Sequence, residues 1–405
     1  MTTIILKPKK EESLLRFHPW VFSGAISRIV LDKDYPHAEP REGDLVAVRA
    51  ADGTALGVGH WQVGSIAVRI LAFGTDRLPD TFWHDRIRAA YDMRRQLHLL
   101  RPDNNTFRLI HGEGDFLPGL VIDVYGDTAV IQAHSVGMHT ARFQIAEALK
   151  AVTNLDNIYY KSDDTLPFKA PIQGDKVGYL SQSENPEPNT PAAHWATENG
   201  LQFRIDWLQG QKTGFFVDQR ENRALVEHYA AGRDVLNMFC YTGGFSLYAL
   251  RGGARSVTSV DVSAKAVELV RANMQRNFPA ATNHSEYASD AFEFLRSAPQ
   301  NQYDLIILDP PAFAKHRDAV KNALRGYQRL NAQGIAAVRP GGLVFTFSCS
   351  QAVDKEMFRL AVFSAAAQTG RRVRIIHQLH QPQDHPVNIY HPEGEYLKGL
   401  VLQVE

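Results

Sequence analysis

Cysteine is nearly absent from this chain: Cys240 and Cys349 are the only two in 405 residues. Two thiols far apart in sequence make no disulfide framework, and a reducing compartment is the expectation. No run of about eighteen apolar residues occurs, so no membrane partner is expected. Met1 to Lys10 carries lysines but no apolar stretch of leader type, and the sequence reads as cytoplasmic. An excess of one charge is missing too. The 44 Lys and Arg balance the 44 Asp and Glu, which excludes a chain-wide cationic field. Contact with nucleic acid then needs a local patch. The Gly-x-Gly-x-x-Gly fingerprint of dinucleotide folds is incomplete, which counts against a nicotinamide dehydrogenase. The length exceeds one ordinary core and implies two or three domains.

What is present is a change of pattern along the chain. Residues 1–76 read as small, all-β and turn-rich, with Asp52-Gly53 as a hairpin signal between Leu45–Val48 and later alternating runs. Residues 77–190 read as a small α+β segment. It opens on a helix from Phe82 to Leu100 carrying Arg86, Arg88, Arg94 and Arg95. Strands follow at Gly119–Tyr125 and Ala129–Gln132, then one helix near Thr140–Val152. Ser181 to Pro191 reads as an exposed loop or linker. Residues 191–405 open on a hairpin tipped by Glu198-Asn199-Gly200 and then alternate strands with helices. Strands are expected at Asp234–Asn237, Ser256–Val260, Tyr303–Leu308 and Gly342–Phe347. Such alternation implies a doubly wound α/β parallel sheet, with Val373–Gln378 and Leu397–Gln403 as an antiparallel edge hairpin.

Four short segments at expected strand ends carry the chemistry. Asn237 to Phe245 closes a strand and opens a helix through Gly243-Gly244, which suits either a ligand's negative group or a plain tight turn. Asp261, about twenty residues past that turn, can accept hydrogen bonds from both ribose hydroxyls or cap a helix. Asp290 can bind an adenine amine or cap the helix at Ala291. In Asp309-Pro310-Pro311-Ala312-Phe313 the prolines stop the strand and leave carbonyls suited to the amino edge of a base, with Phe313 able to stack on it. Cys349 stands between Ser348 and Ser350 at another strand end. It is read as a nucleophile, with a buried packing thiol as the alternative. Cys240, inside the first turn, reads as packing. Gly210 to Arg220 is a conspicuous polar loop.

Taken together, Gly210–Arg223, Asn237–Phe245, Asp309–Phe313 and Ser348-Cys349-Ser350 resemble a known family. It is the bacterial S-adenosylmethionine-dependent rRNA cytosine-C5 methyltransferases that carry an N-terminal PUA domain. His18 to Ile26 resembles the start of that β-barrel-like PUA domain. Gly112–Tyr125 is similar to the family's middle domain, and Asp384–Val387 with Glu395–Gly399 to its closing hairpin. The resemblance implies a class I methyltransferase fold, Rossmann-like, behind the two smaller domains. It implies S-adenosylmethionine as cofactor, S-adenosylhomocysteine as product, no metal, and large-subunit ribosomal RNA as partner. Self-association as a homodimer stays open.

By the same resemblance Asn237, Tyr241, Thr242 and Gly243 contact the methionine part of the cofactor, and Lys212, Thr213, Phe216 and Arg220 close over it. Asp261 holds the ribose, Asp290 the adenine amine, and Val262 and Ala291 the adenine faces. Cys349 is the nucleophile. Asp309 hydrogen-bonds the target base, beside Pro310, Pro311 and Phe313. Some RNA cytosine enzymes carry a second cysteine in the Asp-Pro-Pro segment; position 312 here is Ala, so release cannot depend on a thiol there. RNA docking falls to a basic face: Lys7, Lys9, Lys10 and Arg16, or the arginines from Arg86 to Arg95, for which a solvated helix face is the rival. Two other functions remain: methylation of an exocyclic amine on adenine or guanine without a thiol, and a non-catalytic RNA-binding assembly factor.

Overall fold

The structure is a computed structural model that describes residues 1–34, 37, 39–167, 172–182, 194–299, 301–314 and 316–405. Beyond Ser181 and Gln182, the expected linker to Pro191 lies outside the described residues. The chain divides into two compact units. Unit 1 comprises Met1–His194, Ile205–Phe215 and Gln383–Gly394; unit 2 comprises Trp195–Arg204, Phe216–Pro382 and Glu395–Glu405. Among the described residues no helix is long and apolar enough to cross a membrane.

Unit 1 begins with β1 (Thr3–Leu6), the one-turn helix α1 (Glu12–Leu15), β2 (Trp20–Phe22), β3 (Ile26–Val30), β4 (Leu45–Arg49), β5 (Ala55–Trp61) and β6 (Ile66–Phe73). They form one sheet in the order β2-β6-β5-β4-β1-β3. Alternate residues such as Ile4, Leu6, Val46, Val48 and Val68 share one core beneath it. Asp52-Gly53 turns the chain between β4 and β5, with Gly53 at φ 93°, where a side chain would strain the backbone. The segment is not purely β: α1 buries Leu14.

The second half of unit 1 holds α2 (Phe82–Gln96), β7 (Thr106–His111), β8 (Leu120–Tyr125), β9 (Thr128–Ala133), α3 (Val136–Thr140), α4 (Arg142–Thr153), β10 (Asn157–Lys161) and β11 (Val177–Ser181). Its sheet runs β11-β10-β9-β8-β7, and Ile87 of α2 and Leu149 of α4 join Ile122 and Ile131 in its core. The single helix expected near Thr140–Val152 is two. Ser135 caps the first by accepting from Met138 N, and the chain breaks at Ala141 before α4. Arg94 corrects the expected basic face of α2. It is buried, its guanidinium forks onto the Asp115 carboxylate, and it also donates to the Arg108 and Asp384 carbonyls. Four of its five N–H donors are so engaged and the side chain is fully buried, so it cannot reach a phosphate. Arg95 is exposed.

Unit 2 opens with the predicted hairpin, β12 (Trp195–Glu198) against β13 (Leu201–Arg204). Then come α5 (Arg220–Ala230), β14 (Asp234–Met238), α6 (Gly244–Arg251), β15 (Ser256–Asp261), α7 (Ala264–Asn277), β16 (His284–Ala288), α8 (Ala291–Ser297), β17 (Tyr303–Leu308), α9 (Val320–Ala337), β18 (Val338–Ser348), α10 (Lys355–Thr369), β19 (Val373–His380) and β20 (Lys398–Val404). The sheet order is β16-β15-β14-β17-β18-β20-β19, the first five strands parallel. The two closing runs do pair antiparallel, but β20 inserts between β18 and β19.

The strand sequences explain the layering. Leu236, Met238, Ile306, Leu308 and Val344 face one way, onto Tyr327 and Leu330 of α9 and Phe358 of α10. Their neighbours Val235, Leu305, Ile307, Phe345 and Phe347 face the other, onto Val226 of α5 and Phe245 of α6. Burial on both faces requires apolar residues at every strand position, and each large one contributes about 1.5–3 kcal/mol. Helical crossovers between parallel strands bring all their carboxyl ends to one edge, where such sheets bind ligands.

Candidate active site at the carboxyl edge of the parallel sheet

β14 leaves the sheet through a strained turn into α6. Phe239 and Tyr241 both have positive φ, 58° and 46°, followed by Gly243 at 82°. Side chains seldom accept this conformation, and it persists only where the surroundings impose it. Asp261, at the end of the neighbouring strand, imposes it here. Its Oδ2 accepts from Tyr241 N at 2.9 Å, and its Oδ1 accepts from Ser263 N at 2.9 Å. One carboxylate thus braces the turn and the entry to α7. A carboxylate has about four acceptor positions, so the capping role leaves room for hydroxyl donors. Space around Gly243 is tight as well: a Cβ there would meet Val270 at 3.1 Å.

Beneath the turn runs a buried polar chain. Asn237 Nδ2 donates to Ser246 Oγ at 2.8 Å, Ser246 Oγ lies 2.7 Å from Ser259 Oγ, and Ser259 Oγ lies 2.9 Å from His284 Nε2. Asn237 Oδ1 is buried and has no hydrogen-bond partner among the described residues. Cys240 is buried, and burial first, then the Asp261 charge, pushes its thiol well above the usual range. It packs. Phe216 meets Tyr241 edge-on, ring centroids 5.2 Å apart. Val262 is 76% exposed and Ala291 buried. Asp290 adopts the capping role at α8, its Oδ1 accepting from Phe292 N and Glu293 N.

Arg220 is buried beside Glu221. Three residues on, Arg223 donates to Phe216 O at 2.9 Å and forks onto Glu198 at 2.8 and 2.6 Å. The Tyr248 hydroxyl donates to the same carboxylate at 2.9 Å. Lys212 and Thr213 belong to unit 1. Lys212 is exposed; Thr213 is fully buried and donates to Asp123 Oδ2 at 2.6 Å, with the Tyr125 hydroxyl 2.9 Å away. The Thr213 hydroxyl therefore secures its own loop.

On the other side of β14, Asp309 and Cys349 follow the ends of the next two strands, β17 and β18. Both are half-buried. The Cys349 sulfur lies 4.0 Å from Pro310 O. Pro310 is buried and Pro311 exposed, while Phe313 packs 4.7 Å from the Tyr327 ring, inclined by 36°. Tyr327, on α9, organises this corner: Ser348 Oγ donates to its hydroxyl at 2.9 Å, and that hydroxyl lies 2.9 Å from Ser350 Oγ. Ser350 Oγ also accepts from Ala314 N at 3.2 Å, tying the Asp-Pro-Pro loop to the Ser-Cys-Ser end. Lys398 donates to Ser350 O at 2.7 Å. Tyr327 and Glu198 carried no signal in sequence that pointed to this edge, and Arg223 only closed a segment noted for its resemblance. Lys398 stood in a segment noted only for its resemblance.

One group of metal-ligating side chains occurs among the described residues, in unit 1: donor atoms of His18, His391 and Glu393 lie within 4.8 Å of one another. His18 Nδ1 accepts from Trp20 N at 3.3 Å, which leaves the ring hydrogen on Nε2, where a metal would need a lone pair.

The family of S-adenosylmethionine-dependent methyltransferases matches residues 184–394, just over half of the chain, and a PUA-like domain matches residues 4–73. The protein called ribosomal RNA large subunit methyltransferase I in Shewanella denitrificans is 39% identical over 99% of both chains. Its namesake in Tolumonas auensis is 36% identical, again over 99% of both. The chain belongs to the S-adenosylmethionine-dependent methyltransferases. A solved structure from Streptococcus mutans, provisionally assigned to such methyltransferases, aligns over 100% of both chains with a TM-score of 0.81 at 24% identity. A second, complexed with S-adenosylhomocysteine, aligns equally fully at 0.83 and 24%. They show that the methyltransferase has the class I α/β fold.

The residues present fit S-adenosylmethionine. A buried acceptor without a donor costs about 1–3 kcal/mol. Asn237 Oδ1 is such an acceptor, at the strand end where the sheet edge meets the α6 N-terminus. The unused positions on Asp261 suit vicinal hydroxyls.

Proposed function

We propose that this methyltransferase moves a methyl group from S-adenosylmethionine to carbon 5 of a cytosine in large-subunit ribosomal RNA, through a covalent bond to Cys349. The observation that carries the reading is the half-buried Cys349 at the end of β18, beside the strand that delivers Asp309. The names of the two relatives support the RNA class. The proposed holders of the cofactor are Asn237, Tyr241, Thr242 and Gly243 at its amino-acid end, Asp261 at its ribose, and Asp290, Val262 and Ala291 around its adenine. Phe216 and Arg220 flank them.

When bound, the cofactor supplies an electrophilic methyl group on a sulfonium. Carbon 5 of cytosine is too poor a nucleophile to take it unaided. The Cys349 thiolate bonds to carbon 6, and the displaced π-electron pair makes carbon 5 electron-rich. Asp309 shares a proton with ring N3 as charge develops there. Carbon 5 gains the methyl group, a base or water removes its proton, and the carbon 6–sulfur bond breaks, returning the electron pair to Cys349. Pro311 and Phe313 would flank the base, which must leave its stack to reach the sulfur. The PUA-like residues 1–76 would dock the RNA, with residues 77–190 as a middle domain and 191–405 as the catalytic one.

The test uses RNA carrying 5-fluorocytosine, whose fluorine cannot leave as a proton does. The expected result is a denaturation-resistant protein–RNA adduct that Cys349→Ser abolishes while cofactor affinity stays within about twofold. Methyl transfer by Cys349→Ser at the unaltered rate would refute the covalent route and favour methylation of an exocyclic amine.

A further inference from the structure

Lys398 is an ammonium in a buried place. It opens β20 opposite Ser348 of β18, is 5% exposed, and donates to Ser350 O at 2.7 Å. Lysine is rarely buried without a counter-charge, because removing an ammonium from water costs several kcal/mol. Among the described residues Lys398 forms no ion pair with a carboxylate. The two acids near enough to act on it are engaged elsewhere. Asp354 caps α10, accepting from Met357 N at 2.8 Å, and Glu395 is paired with Lys355. Lys355 repels it. On the α9 side stands Tyr327, whose phenol is raised by burial and so is uncharged near neutral pH. Once ionised, the Cys349 sulfur is the largest favourable charge acting on Lys398. The hydrogen bond to the Ser350 carbonyl holds the ammonium at the residue next to Cys349.

We propose that Lys398 is a positioning residue for the reaction: its ammonium holds the Cys349 sulfur in the thiolate form that attack on a pyrimidine requires. The proposal deepens the reading of Cys349 as nucleophile and rests on it. No proton need leave Lys398 during turnover; its part is charge. Burial brings Lys398 down to about 8, so the ammonium is present at pH 7 and is lost above that value. The pairing therefore acts where an ordinary thiol, with its pKa near 8.5, is still protonated.

The experiment is alkylation of the full-length protein by iodoacetamide across pH 5.5 to 10, each cysteine followed by peptide mass spectrometry. Cys349 in the native sequence should ionise with a midpoint at least about one unit below an ordinary thiol. Lys398→Met should raise that midpoint and slow alkylation at pH 7 about tenfold, one unit being a factor of ten. Lys398→Arg should keep the low midpoint. Cys240 is the internal control for folding, since it reacts only when unit 2 opens. If Lys398→Met exposes Cys240, the native and Lys398→Arg profiles decide. A native midpoint at or above the ordinary thiol value, or identical profiles for native and Lys398→Met protein, would overturn the proposal. If the midpoints behave as expected and the 5-fluorocytosine adduct fails to form, the pairing stands and the covalent route falls.

Discussion

Glu198→Gln removes one charge at almost constant volume, and its effect can be worked out from the surroundings. Glu198 is fully buried; it takes both fork hydrogens of Arg223 and the Tyr248 hydroxyl. In the variant an amide replaces one oxygen, and the buried Arg223 loses the charge of the carboxylate it forks onto, while Asp218 still acts on it. Breaking a buried pair from one side costs about 3–5 kcal/mol. For a domain of 150–250 residues each kcal/mol lowers Tm by about 2–4 °C, so a fall of about 6–20 °C is expected. Scanning calorimetry at pH 7 measures it. Replacing both partners, Glu198→Met with Arg223→Met, should recover part of the loss, because no lone charge remains. There is a functional consequence. Arg223 also holds the carbonyl of Phe216, which packs on Tyr241 in the turn after β14. Glu198→Gln should therefore weaken S-adenosylmethionine binding severalfold, read by titration calorimetry well below Tm. A Tm loss under about 2 °C, or a double variant no more stable than Glu198→Gln, would refute the reasoning.

Three other substitutions test separate parts of the structure. Asp261→Asn turns an amide NH2 towards one of Tyr241 N and Ser263 N, which then faces a donor while the other keeps the amide oxygen. Cofactor Kd should rise at least about tenfold with about 1–3 kcal/mol of lost stability; unaltered affinity would remove Asp261 from the site. Tyr327→Phe deletes the hydroxyl joining Ser348 and Ser350, so methyl transfer should slow while cofactor Kd holds. Lost stability with full kcat would make Tyr327 purely a packing residue. His60 is held down to about 4, first by burial and then by Arg69, against an ordinary 6.5. The unfolded chain takes up this proton first, so the stability is complete above pH 6.5 and is lost as pH falls towards 4. The whole effect is about 3 kcal/mol. His60→Gln should flatten the melting profile of unit 1 in that window, and an unchanged slope would assign the acid sensitivity elsewhere.

The parts legible in sequence were those decided by neighbours along the chain. Leu305 to Leu308 and Gly342 to Phe347 are apolar at nearly every position, as strands buried on both faces must be, and both are strands. Asp52-Gly53 was legible as a hairpin turn because a glycine that accepts positive φ needs nothing remote. β16 was not placed: His284-Ser285-Glu286-Tyr287-Ala288 lies at the sheet edge, where half-exposed polar residues erase the apolar signal. Arg94 looked like its exposed neighbours because its partners, Asp115 and Asp384, are remote in sequence. Lys398 was missed for the same reason. Its approach to Ser350 spans 48 residues and follows from the β18–β20 register, which periodicity does not encode. Of the candidate site, the strand-end segments were visible, and the side chains that hold them in shape were not.

The chain passes from one unit to the other five times. Gln383–Gly394, the last piece of unit 1, is translated after nearly everything else, and it brings the Asp384 carbonyl to Arg94 and the Asp384 carboxylate to the Arg108 amide. A nascent polypeptide therefore cannot finish its amino-terminal half while the carboxyl-terminal half is still in the ribosome. A fragment cut near residue 215 would leave the Arg94 guanidinium short of an acceptor that no sequence upstream supplies.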